Sequence, residues 1–167
     1  IRDYKVTGVQ TCALPIYVPA AYGSIVFDAP VTGVFITTGG TFQVVNPASC
    51  TLTQSKQFSM PSNCRLQYDG SVTRTFKIGW SVSITGGSPA TYSMICQFTI
   101  YKNGSAIASD GGHGSATLQA TSERESTGGV FLANLDPGDY LEIYCTTGTT
   151  GDEINFNVGN LNAVSIT

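Results

Sequence analysis

The sequence predicts an all-β domain, an antiparallel jelly-roll β-sandwich of about eight to ten strands. Three observations carry that. Phe76, Ile78, Trp80, Val82 and Ile84 alternate with Thr75, Lys77, Gly79, Ser81 and Ser83, the period of a half-buried strand. Turn dipeptides punctuate the chain at Asp69-Gly70, Asn103-Gly104 and Pro137-Gly138. No stretch repeats apolar residues at helical spacing, and the abundant Gly, Thr and Val oppose one.

The elements follow in order. Short strands are expected at 24–27, 42–45 and 65–68, and the long one runs through 76–84. Met94, Cys96, Phe98 and Ile100 alternate again, as do Leu141, Ile143 and Cys145, and then Ile154, Phe156 and Val158. Weaker strands are read at 116–120, 130–133 and 163–166. Asn103-Gly104 is the clearest hairpin signal, because both residue types tolerate positive φ. If successive strands run antiparallel, the three tight turns share one end of the sandwich. The longer connections at 85–90, 123–128 and 146–152 then share the other. That holds if 110–114 (Asp-Gly-Gly-His-Gly) bulges within a strand and fails if it reverses the chain. Long loops on a rigid scaffold carry recognition, so Thr85, Ser88, Glu123, Arg124, Glu125, Thr147, Thr149 and Asp152 are the candidate contact residues.

Residues 1–16, IRDYKVTGVQTCALPI, resemble the translation of an indexed sequencing adapter. ATACGAGAT gives Ile1-Arg2-Asp3, an index gives Tyr4-Lys5, and the constant part gives Val6 to Ile16. They are set aside from fold reasoning. The expectation is a single domain over 17–167, taken from environmental sequence, with upstream domains missing. Cys12 leaves the cysteine count with them.

Composition narrows the function. At 167 residues and 17.6 kDa the chain suits one domain with a real core. Charged residues are 11% and hydrophobic ones 41%, which is the opposite of a charge-driven disordered tail. The net charge of −3 disfavours a nucleic-acid partner. No apolar run approaches the ~20 residues of a membrane span, so membrane insertion is not expected. His113 is the single histidine, which removes multi-histidine metal sites. Cys50, Cys64, Cys96 and Cys145 have no C-x-x-C spacing, and four cysteines permit three pairings that sequence does not choose between. Buried free thiols are the leading reading, above all for Cys96 and Cys145 in their strands. A Cys50–Cys64 bridge closing a short loop is the alternative.

The ordered set AYGSIVF, NCRLQYDGSVTRTFKIGWSVSI, CQFTIYKNGSAIAS, LDPGDYLEIYC and EINFNVGNLNAVSIT resembles the C-terminal β-domains of tail-fibre, head-fibre and related structural proteins of tailed bacteriophages. The resemblance spans roughly 21–167. The four cysteines and the Gly-Gly-His-Gly run depart from it. It implies a tumour necrosis factor-like jelly roll, a homotrimer, location in the virion, and a structural or attachment role without cofactor. The partner implied is a host cell-surface glycan or protein. Tyr68, Tyr101, Tyr140 and Tyr144 are read as out of phase with the core residues of their strands, and so as candidate subunit-interface aromatics on the other face. Sugar stacking is the lesser use for them. The alternative function is a monomeric carbohydrate-binding β-sandwich of a secreted microbial protein.

Enzymatic chemistry is not expected. His113 lies among glycines, whereas a catalytic histidine needs a group that fixes its ring. It reads as an exposed loop residue. The pairs Glu123/Glu125 and Asp152/Glu153 sit at loop edges rather than facing one another across a cleft. Asp136, Asp139, Asp152 and Glu153 lack the spacing of a calcium loop. No catalytic, metal or cofactor residues are therefore assigned.

Overall fold

The computed structural model describes residues 20–46, 50–87, 93–107, 110–119 and 123–166, with the side chains of all of these except 28–32 and 110. The adapter-like segment 1–16 and residues 88–90 of the 85–90 connection, Ser88 among them, lie outside the described residues. The strands are β1 (Tyr22–Phe35), β2 (Gln43–Val44), β3 (Thr51–Lys56), β4 (Phe58–Ser59), β5 (Leu66–Tyr68), β6 (Arg74–Gly86), β7 (Met94–Lys102), β8 (Ser105–Ala106), β9 (His113–Leu118), β10 (Arg124–Leu135), β11 (Tyr140–Thr147) and β12 (Glu153–Ser165). There is no α-helix among the described residues.

Two antiparallel sheets face each other. The first is five-stranded, in the order β10-β6-β12-β1-β3. The second runs β4-β5-β11-β7-β8, with β2 also paired to β11 and β9 to β7. The alternation in β6 sets the core as expected: Phe76, Ile78, Trp80, Val82 and Ile84 are all buried. Two aromatic groups fill the space between the sheets. Phe58, Tyr68 and Phe76 meet at centroid distances of 4.9 to 5.3 Å. Phe27, Phe156, Phe98 and Trp80 form a chain with spacings of 5.9 to 6.3 Å. Burying one such ring contributes about 1.5–3 kcal/mol.

Several expectations need correction. Tyr68 is fully buried rather than outward-facing. It lies two residues from Leu66 and so shares its inward face, and its hydroxyl donates to the carbonyl of Val72 at 2.9 Å, which removes the cost of burying it. Val158 is 45% exposed, because the pairing of β12 with β6 slips between Phe156 and Val158 and resets the phase. The next inward residues are Gly159, Leu161 and Ala163. The 123–128 segment is a strand from Arg124 onward, paired to β6 from Arg124↔Thr85 to Gly128↔Ser81. The short strands β3, β4 and β8 have no counterpart in the sequence reading. Cys50 and Cys64 form a disulfide, with Cα atoms 5.2 Å apart, whereas Cys96 and Cys145 are free and buried.

The Gly-Gly-His-Gly run has a packing reason. β8 and β9 both run antiparallel to β7, so 110–114 bulges within one direction of travel, through a 3-10 turn at Asp110–Gly112. That bulge roofs the indole of Trp80, whose Nε1 donates to the Gly111 carbonyl at 3.2 Å. A Cβ on Gly114 would lie 2.8 Å from Cη2 of Trp80, and one on Gly129 3.0 Å from its Nε1. Only glycine lets the backbone approach the ring so closely.

Candidate functional site

The topology collects the tight turns at one end. Asn103 and Gly104 take positive φ (53° and 77°), as the hairpin signal requires. Gly138 N–H donates to the Tyr68 carbonyl, and Asn103 N–H to that of Tyr140. Asp139 is the hub of this end. Its carboxylate accepts from the Asp136 amide at 2.9 Å, from Asn103 Nδ2 at 2.5 Å and from Lys102 Nζ at 3.1 Å. Burial pushes its pKa up, but the Asp136 amide, Asn103 and Lys102 together outweigh burial and hold it below the ordinary value.

The long connections collect at the other end. There Thr85 pairs with Arg124, Gly86 with Ile154, Phe35 with Glu153, and Thr147 with Cys96. The sequence-predicted contact residues divide there. Arg124 and Thr149 are exposed; Thr85, Glu123 and Glu125 are half-buried. Glu123 is occupied, since its carboxylate accepts from the Gln119 amide. Thr147 and Asp152 are buried rather than surface residues. Thr147 ends β11, and its hydroxyl closes the following turn by accepting from the Thr149 amide at 3.3 Å. Asp152 is held where its carbonyl accepts from the Ile36 amide at 2.8 Å. Burial, with a smaller contribution from Asp152, pushes the Cys96 thiol up to about 12. Burial likewise pushes Cys145 up. Both thiols are therefore inert at neutral pH.

The outward face of the second sheet carries Tyr101, Tyr140 and Tyr144. Tyr101 and Tyr144 stack at 3.8 Å and 14°. Arg65 lies 3.9 Å over the Tyr140 ring and pairs with Glu142 at 3.0 Å. Phe42, which the sequence reading did not single out, reaches to 6.4 Å from Tyr101. Thr99 and Thr146 are each 1% exposed although they belong to this outward face. A cavity of about 460 Å³ opens beside Phe42, lined also by Gln97, Phe98, His113, Gly114 and Ser115. His113 is exposed, at the start of β9. No group of three or more His, Cys, Asp or Glu residues able to hold a metal occurs among the described residues.

The outward face of the first sheet is different. Leu132, Lys77, Val164 and Tyr22 lie side by side across β10, β6, β12 and β1. Val130, Gly79, Asn162 and Ser24 form the next row. Val130 and Leu132 are 57% and 59% exposed. Val158, Val164 and Ile166 add further exposed apolar surface on β12 and just beyond it.

This arrangement of strands recurs in solved structures. Vertex protein P5 of phage PRD1 superposes with a TM-score of 0.52 at 11% identity, over 88% of this chain and 97% of that one. Murine APRIL gives 0.51 at 9% identity, over 89% of this chain and all of that one. The fold is a tumour necrosis factor-like jelly roll. No protein-family profile matches the sequence, and no curated protein matches it. At these identities the likeness concerns the jelly-roll fold alone.

Proposed function

We propose that this jelly roll is a non-enzymatic virion domain that assembles as a homotrimer and presents its loop end to the host surface. The observation that carries the reading is the outward face of the first sheet. Val130 and Leu132 on β10 and Val164 and Tyr22 on β12 and β1 form two exposed apolar groups there, with Lys77 between them and Lys56 beside Tyr22. Exposed large apolar side chains gathered on one sheet face mark an association surface. The phage vertex protein of the same fold supports a structural role in a particle. Tyr101, Tyr140 and Tyr144 lie on the opposite sheet and are engaged within the chain, so the apolar face is the better subunit interface.

Three copies on one axis would turn weak loop contacts into avid attachment. Arg124 and Thr149 are the exposed side chains best placed for this, with Thr85, Glu123 and Glu125 behind them. Light scattering after size exclusion tests the assembly. The expected mass is that of three chains, and it falls to one chain in Leu132→Asp/Val164→Lys. A monomeric parent chain at high concentration overturns the trimer. Replacing the connections between β6 and β7, between β9 and β10 and between β11 and β12 with short turns should abolish adsorption to host cells while leaving the mass unchanged. Unaltered adsorption overturns the attachment role.

A further inference from the structure

We infer that the cavity beside Phe42, on the outward face of the second sheet, is a binding site for a short neutral saccharide. It deepens the attachment reading, on which its biological use rests, but the binding itself belongs to one copy. The face lies opposite the proposed subunit interface and is left open by it.

The chemistry of the lining points to this ligand. Phe42 supplies an aromatic wall, and apolar C–H surfaces of a sugar ring pack on such a wall. Gln97 and Ser115 are cross-strand partners, and both are exposed at the cavity. They offer an amide and a hydroxyl, each able to donate and accept. His113 adds an imidazole next to them. The two cations elsewhere on this sheet are committed, Arg65 to Glu142 and Lys102 to Asp139. No Lys or Arg lines the cavity, so nothing there favours a phosphate, sulfate or carboxylate. The volume of about 460 Å³ suits a small ligand rather than a protein segment.

Two-dimensional amide NMR of the whole chain tests the assignment. The probes are trisaccharides of glucose, galactose and N-acetylglucosamine, with sialyllactose as an anionic arm. At least one neutral probe should produce saturable shifts at Gln97, His113 and Ser115 in the millimolar range. Ser115→Trp, which fills the cavity from an exposed position, should weaken binding at least about tenfold. Gln97→Ala should weaken it by a smaller factor, and Thr51→Ala on the opposite sheet should leave it unchanged. Phe42→Ala should abolish it, with Trp80 fluorescence reporting an intact fold. Absence of saturable shifts with every neutral probe overturns the inference, as does tighter binding of sialyllactose or binding that survives Ser115→Trp. Loss of adsorption on loop replacement, together with no saccharide shift, would sink the site and leave the attachment reading standing. Saccharide binding with adsorption insensitive to both loops and cavity would do the reverse.

Discussion

Trp80 and its glycine roof make a sharp test of the packing argument. The indole is 3% exposed, is seated against Phe98, and donates its only N–H to Gly111. Trp80→Ala removes that burial and leaves a void bounded by two sheets and by backbone at Gly114 and Gly129 that has little freedom to collapse. The expected loss is about 3–5 kcal/mol, the range for large aromatic side chains deleted from cores. Gly114→Ala attacks the same contact from the other side. Its Cβ would lie 2.8 Å from Cη2 of Trp80 and 2.7 Å from Thr127 Oγ1, so an overpacking cost of about 1–3 kcal/mol is expected. Combining Gly114→Ala with Trp80→Phe, a smaller ring, should recover at least about 0.5 kcal/mol relative to additivity. Urea unfolding followed by far-ultraviolet circular dichroism measures all of these without relying on the tryptophan. A Trp80→Ala loss below about 1 kcal/mol, or strict additivity of the pair, would refute the slot.

Three further outcomes follow from the same geometry. Asp139 ionises more readily in the folded state than in the unfolded one, so its stabilisation is complete above the ordinary Asp value near pH 4 and is lost as pH falls through the lowered one. The difference in unfolding free energy between the parent and Asp139→Asn should therefore shrink on acidification below about pH 4, and a constant difference would show that the turn hub is not electrostatic. Cys50 and Cys64 are separated by 14 positions, and opening a loop of that size should cost about 3 kcal/mol, read as the shift in urea midpoint for the Cys50→Ser/Cys64→Ser pair. Cys96 and Cys145 should resist iodoacetamide in the native protein at pH 8 and react only on unfolding; rapid labelling of either would mean that the second sheet opens locally.

Sequence legibility followed the strength of local signals. The β6 strand was plain because five large apolar residues alternate without interruption. The division of turns between the two ends was legible because turn dipeptides and strand count fix direction. The phase of Val158 was not, since a bulge depends on the neighbouring strands and leaves no residue signature at Asn157. The start of β10 reads as a loop, Glu-Arg-Glu-Ser-Thr-Gly-Gly, because its inward positions 127 and 129 carry small or polar residues beneath the Trp80 region. Tyr68 needed only its spacing from Leu66, which puts both on one face of β5, and the phase read for it was off by one residue. The strand read at 42–45 includes Phe42 but is too short to say what it packs against. Its place over the second sheet is set by β2 pairing with β11 about a hundred residues later, Tyr144↔Val44 and Cys145↔Gln43, which no local pattern encodes.

The position of β12 has a kinetic consequence. The last strand described, β12, sits in the interior of the first sheet, between β6 and β1, and joins Val164 to Tyr22. During synthesis the first sheet lacks that central strand until β12 itself has been made, and β6 and β1 each wait with one unpaired edge. Folding should thus be late and slow, in the milliseconds-to-seconds regime of β-sandwiches dominated by distant pairings. Those waiting edges also accept a strand from a neighbouring nascent chain as readily as from their own.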